Sequence, residues 1–144
     1  GLGATGIAPG SHATEQDLKV ARELLESVGI GSVTEEPQLD AITGLSGSGP
    51  AYVYTFIESL SLQAQEEGLA LDEALKLATQ TVIGAARMIE QTGMTPRQLV
   101  EQVTSPGGTT LAGLAALTEH GFEKSIAAGV HAASERSREI ARES

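Results

Sequence analysis

The sequence predicts a mainly α-helical fold preceded by a short α/β segment. Three observations carry that expectation. From about residue 44 onward the apolar residues recur at spacings of three and four, as they do along one face of a helix. Start and stop residues punctuate the same region: Pro50 and Pro96 where first-turn prolines are tolerated, and Gly68, Gly93 and Gly121 where helices stop. Residues 1–43, by contrast, hold the chain's strand candidate.

Taken in order, Thr14 opens a helix as N-cap, with Asp17 three residues on completing a capping box. Leu18, Ala21, Leu25 and Val28 form its apolar stripe, Leu24 lies beside it, and Gly29 is the expected stop. Ile30 to Val33 reads as a short strand. Leu45-Ser46-Gly47-Ser48-Gly49-Pro50 reads as a flexible joint running directly into a helix. That helix, about Pro50 to Glu67, carries Tyr52, Phe56, Leu60 and Ala64 on one row and Val53 and Ile57 on the next. Tyr54 and Leu62 add apolar surface elsewhere, which predicts burial on more than one side. Asp72 is the expected cap of the next helix, about Glu73 to Gln91. Thr95-Pro96 opens a short one carrying Leu99, Val100 and Val103. Helices at about Leu111 to His120 and Phe122 to Glu143 complete the chain, the last with Phe122, Ile126, Val130, Ala133 and Ile140 on its apolar row.

Composition excludes several classes of function. The net charge of −10 opposes nucleic-acid binding, which needs clustered Lys and Arg. The tightest basic group, Arg136, Arg138 and Arg142, alternates with Glu135, Glu139 and Glu143, as on an exposed helix face with weak ion pairs. No run of about 18 apolar residues suggests a membrane span. The absence of Cys removes disulfide and thiolate chemistry. No basic-then-apolar signal segment opens the sequence, so a cytoplasmic location is expected. Aromatics amount to Tyr52, Tyr54, Phe56 and Phe122, while Ala and Gly abound. Such a core rests on close approach of small side chains and often gains area from a partner subunit.

Four motifs bear on chemistry. Gly1-Leu2-Gly3-Ala4-Thr5-Gly6 spells G-x-G-x-x-G, but the dinucleotide fingerprint works only between a strand and a helix. Ile7-Ala8-Pro9-Gly10-Ser11 cannot be that helix, so the match is a false one. Ser46 to Pro50 reads either as an interdomain hinge or as a segment whose hydroxyls and helix N–H groups face a ligand. Ser105-Pro106-Gly107-Gly108-Thr109-Thr110 has two readings of equal weight. It is a tight helix-to-helix turn with a Thr cap, or an anion site in which two glycines bring backbone close to a carboxylate at a helix N-terminus. His12, His120 and His131 have no metal-ligand spacing, and no metal site is expected.

Asp40 to Tyr52 (D-A-I-T-G-L-S-G-S-G-P-A-Y) and Val103 to Leu114 (V-T-S-P-G-G-T-T-L-A-G-L) together resemble the two most characteristic segments of the pyrroline-5-carboxylate reductase family. G-F-E-K-S-I, from Gly121, and the A-A-S-E-R-S-R-E-I ending are similar to it too. The resemblance covers essentially the whole chain. It implies that residues 1–43 are the end of a Rossmann-type nucleotide-binding domain, and that residues 44–144 form an all-helical dimerisation and substrate-binding domain. It further implies an NADP- or NAD-dependent reduction of 1-pyrroline-5-carboxylate to proline, in homodimers that assemble further into rings. Carried over by position, Ser105, Gly107, Gly108, Thr109 and Thr110 would bind the substrate carboxylate. The Thr110 hydroxyl would also reach the ring nitrogen, as the catalytic contact. Ser46, Gly47, Ser48, Gly49 and Pro50 would line the nicotinamide side of the cofactor.

Family members begin with a full Rossmann domain that this sequence lacks. The expectation is therefore a piece of a longer protein that dimerises, does not turn over alone and binds no cofactor tightly by itself. Two alternatives share parts of the pattern. A non-catalytic helical oligomerisation module would use the turn only structurally. A hydroxy-acid dehydrogenase would need a catalytic Lys on a helix, for which Lys76 and Lys124 have no supporting motif.

Overall fold

The structure is a computed structural model that describes residues 1–143. Its elements run β1 (Gly3–Ile7), α1 (Glu15–Glu26), β2 (Gly29–Val33), a 3-10 turn (Glu36–Gln38), α2 (Leu39–Ile42) and a π-helical turn (Thr43–Gly47). Then follow α3 (Gly49–Glu66), α4 (Leu71–Thr92), α5 (Pro96–Gln102), α6 (Thr109–Glu119) and α7 (Phe122–Glu143). The mainly α class with an α/β segment ahead holds. Two compact units form. One comprises Gly1–Tyr52 together with the chain from Lys124 on, and the other Val53–Glu123. The boundary falls inside α3 and inside α7.

In the first unit, β1 and β2 pair in parallel, Gly3 opposite Gly29 and Ile7 opposite Val33, with α1 as the crossover between them. The helix begins as its sequence dictates. Thr14 Oγ1 accepts from the Asp17 N–H at 3.2 Å, and the Asp17 carboxylate accepts from the Thr14 N–H at 2.8 Å. The Thr14 hydroxyl, donating to the Asp17 carboxylate at 2.7 Å, and after it the Thr14 N–H hold the Asp17 carboxyl below its ordinary range. Leu18, Ala21 and Leu25 are the half-buried row, while Leu24 and Val28 stay exposed. The end of α1 differs from expectation. Ser27, donating its hydroxyl to the Leu24 carbonyl at 2.6 Å, ends the helix, and Gly29 already belongs to β2.

Two further readings are corrected here. G-x-G-x-x-G falls within and just before β1, a strand that the sequence reading missed. Its glycines serve pairing and packing: a Cβ on Gly6 would come within 2.5 Å of Ile42 Cδ1. The supposed flexible joint is helical. Ser48 N–H donates to the Thr43 carbonyl at 2.9 Å, the five-residue spacing of a π turn, and α3 follows at Gly49.

In the second unit, Gly68 and Gly93 stop α3 and α4 at φ 101° and 64°. Thr95, Pro96 and Gln98 start α5 with a full capping box. Asp72 is not a cap. Ala70 holds that position, and Asp72 and Glu73 sit in the first turn of α4, where carboxylates favour the helix dipole. Phe56 and Phe122 meet with ring centroids 6.0 Å apart. Very little of this unit is covered: Ala74, Ala78 and Ser61 are buried, while Val53, Tyr54, Leu62, Leu75 and Leu77 stay exposed. The expected burial of α3 on several sides is thus absent among the described residues, because no element of the unit covers those faces.

Candidate functional site

Each of the two candidate segments belongs to one unit. The first is the run from Thr43 to Pro50. Gly44 is buried, and a Cβ there would lie 2.7 Å from the Val130 carbonyl oxygen of α7 and closer still to the Ser134 hydroxyl. Ser134 is itself 5% exposed and turns its hydroxyl onto the Val130 carbonyl at 3.0 Å. On either side of this seat stand two polar links to α7. Tyr52 donates to the Gly129 carbonyl at 3.2 Å, and Arg138 approaches the Asp40 carboxylate at 3.8 Å while also pairing with Glu135. Arg138 is thus more covered than the exposed ion-pair face that its sequence suggests. Its neighbour Arg136 fits that description, paired with Glu139 and Glu143, which raise its pKa further.

The opposite side of the same turn faces β1. A cleft of about 370 Å³ opens there, walled by Thr5 and Gly6 of β1, Leu39 and Ile42 of α2, and Ser46 and Gly47. Ser46 donates its hydroxyl to the Ile42 carbonyl at 3.2 Å, which leaves its oxygen free to accept. Ser48 and Gly49 are half-buried, and Pro50 is exposed. Of the five residues expected on the cofactor side, Ser46 and Gly47 line this cleft.

The second segment is the turn into α6. Ser105 accepts from the Gly108 N–H at 2.9 Å through its carbonyl, closing the turn, and Gly107 takes φ 72°. A Cβ on Gly108 would stand 2.6 Å from Ser105 Oγ and 3.1 Å from the Ser105 carbonyl oxygen, so a side chain there crowds the turn, and the positive φ at Gly107 favours glycine at its neighbour. The Thr-cap reading is corrected: Gly108 is the N-cap of α6 and contributes no side chain, while Thr109 and Thr110 are the first residues of the helix. The N–H groups of a first helical turn have no carbonyl one turn back. In α1 and α5 a Thr side chain takes one of them; in α6 none does. Gly107, Thr109 and Thr110 are all exposed. An uncapped helix start of this kind attracts anions through aligned N–H groups and the helix dipole. Among the described residues no group of three His, Asp or Glu side chains is arranged to hold a metal, and no helix is long and apolar enough to cross a membrane.

Sequence reasoning missed the contacts that seat the first segment: Gly44 on Ser134, Tyr52 on Gly129, Asp40 with Arg138. No local signal marks them, since Gly44 and Ser134 both stand among other small residues, Ser46 to Gly49 and Ala132-Ala133.

Comparison with known proteins places the chain in one family. Residues 36–140 match the family described as pyrroline-5-carboxylate reductase dimerisation. The chain is 48% identical over 137 residues to a pyrroline-5-carboxylate reductase of Methanosarcina acetivorans, covering 95% of this chain and 51% of the relative. It is 49% identical over 140 residues to that of Glycine max, covering 97% and 51%. Among solved structures, a pyrroline-5-carboxylate reductase from Coxiella burnetii matches with a TM-score of 0.89 at 34% identity, over 94% of this chain and 50% of that one. The Plasmodium falciparum pyrroline carboxylate reductase with NADP bound matches with a TM-score of 0.85 at 34% identity, over 91% and 50%. The chain spans about half the length of the curated relatives it matches.

Proposed function

This chain belongs to the pyrroline-5-carboxylate reductase family, and we propose that it supplies the dimer interface and the substrate-carboxylate site of such an enzyme. In this reading residues 1–43 end a nucleotide-binding domain and residues 44–144 form the helical domain; Ser144 lies outside the described residues. A cytoplasmic location goes with it. The observation that carries the proposal is the uncapped start of α6 at Gly108, reached through a turn that favours glycine at 107 and is crowded at 108.

The substrate carboxylate rests on the free N–H groups at Thr109 and Thr110, with Ser105, Gly107 and Gly108 shaping the approach. The Thr110 hydroxyl accepts from the N–H of the protonated ring nitrogen. Two anchors fix the orientation of a small cyclic imine, and a protonated imine carbon is already electrophilic. Positioning therefore counts for more than a strong acid or base, which accords with a turn that holds no Lys, Arg, His or carboxylate.

A reduced nicotinamide dinucleotide, when bound, supplies the hydride that saturates the imine carbon. The cleft beside β1 supports a place for the nicotinamide end: it is small, it has an apolar wall in Leu39 and Ile42, and Ser46 offers a hydroxyl. Ser48, Gly49 and Pro50 extend that side into α3. The pyrophosphate end does not fit the described residues, because the G-x-G-x-x-G glycines lie in and just before a strand rather than at a strand-to-helix turn. Tight cofactor binding by this chain alone is therefore not expected.

A homodimer is supported by the uncovered apolar faces of α3 and α4, where Tyr54 is 69% exposed. Light scattering should give twice the 14.8 kDa chain mass. A steady-state assay with pyrroline-5-carboxylate and NADPH should detect no turnover by the 144-residue chain. A monomer, or ready turnover, would overturn the corresponding part of the proposal.

A further inference from the structure

The π-helical turn sits between two close approaches. On one side Gly6 of β1 leaves room for Ile42; on the other Gly44 is seated against Ser134 and Val130 of α7. A π turn holds one residue more than an α turn, and each helical residue turns the chain by roughly 100°, so the extra residue redirects every side chain that follows it. Ser46 and Gly47 face the cleft in the π register. An α-helical register through Thr43–Gly47 would swing them away from β1.

We propose that Gly44 and Ser134 are positioning residues: their close seat selects the π register and so aims Ser46 and Gly47 into the cleft beside β1. The inference rests on the reading that this segment serves the cofactor side, and it gives α7 a role in shaping that side. The requirement is for small size. The Ser134 hydroxyl is satisfied by its own helix at Val130 and makes no bond to the turn, whereas any Cβ on Gly44 collides with both. Asp40 with Arg138 and Tyr52 with Gly129 hold α7 on either side of the seat.

Amide hydrogen exchange on the full chain tests the proposal. Gly44→Ala and Ser134→Val should each speed exchange at residues 43–49 by about tenfold or more, with α4 and the β1–β2 pair unchanged. Ser134→Ala should stay near wild type, which separates size from hydrogen bonding. Should Gly44→Ala not fold, Ser134→Val carries the test against Ser134→Ala. Unchanged protection in both larger variants, loss spread evenly over the chain, or an equal loss in Ser134→Ala would overturn it. Titration with millimolar NADP+, followed at the Ser46 and Gly47 amide resonances, separates the two readings. Shifts in wild type and Ser134→Ala that vanish in Gly44→Ala are expected. Their absence from wild type removes the cofactor reading, while the exchange result still decides what sets the turn.

Discussion

Two glycine-rich stretches, Leu45 to Pro50 and Ser105 to Thr110, look alike as sequence and behave oppositely as structure. The first continues from a glycine buried against another helix and is helical almost throughout. The second is an exposed turn whose glycines admit a positive φ and an uncapped helix start. The packed glycine, Gly44, stands just ahead of the first stretch, while in the second Gly107 supplies a left-handed turn. The contrast teaches that Gly and Ser content alone does not mark a linker; what lies against the missing Cβ decides.

The largest expected effect separates Gly44 from Gly49. Gly44→Ala should destabilise the chain by about 1–3 kcal/mol, the usual cost of overpacking. Gly49→Ala, where a Cβ meets nothing within 4 Å, should be neutral or gain up to about 1 kcal/mol from helix propensity. Thermal melts of the two variants measure this. Equal effects would break the distinction between packed and open glycines.

Next comes the contrast between capped and uncapped helices. Thr95→Ala removes the capping box of α5 and should cost about 1 kcal/mol. Thr110→Val, in the first turn of α6 where no side chain caps, should change stability by no more than about 0.5 kcal/mol. Urea denaturation compares them directly.

The smallest effect is one of pH. Asp17 has its pKa lowered by its bonds to Thr14. Its contribution is therefore present above the ordinary aspartate range and is lost as pH falls through the lower folded value. Thr14→Ala should reduce that small acid sensitivity, because the hydroxyl is lost while the N–H of residue 14 still donates. Melts across the acid range follow it; a variant that loses stability in acid as steeply as wild type would contradict the assignment.

Much of the fold was legible because its signals are local. Thr14 with Asp17, Thr95 with Pro96 and Gln98, and Gly93 at φ 64° announce their caps within a few residues. What escaped the sequence is non-local. Gly3–Ile7 is a strand because Gly29–Val33 pairs with it, and its own glycine-rich composition does not favour one. The joint is helical because Ser134, far along the chain, leaves a seat for Gly44. Asp72 was read as a cap because acidic residues suit both a cap and a first turn, and only the backbone course after Gly68 separates the two. In the candidate site, the residues of the α6 turn were legible as a motif. Its open N-terminus was not, because whether Gly108 or a Thr takes the cap depends on a one-residue difference in where the helix begins.

The central claim, that the α6 turn holds a carboxylate, is tested most directly by titrating the chain with proline and repeating the titration on the Gly108→Val, Thr110→Val double variant. Calorimetry should give saturable binding to the wild-type chain and at least about a tenfold loss in the variant, equivalent to about 1.4 kcal/mol. Equal affinity in both proteins would contradict the account and leave the turn as a connection between two helices.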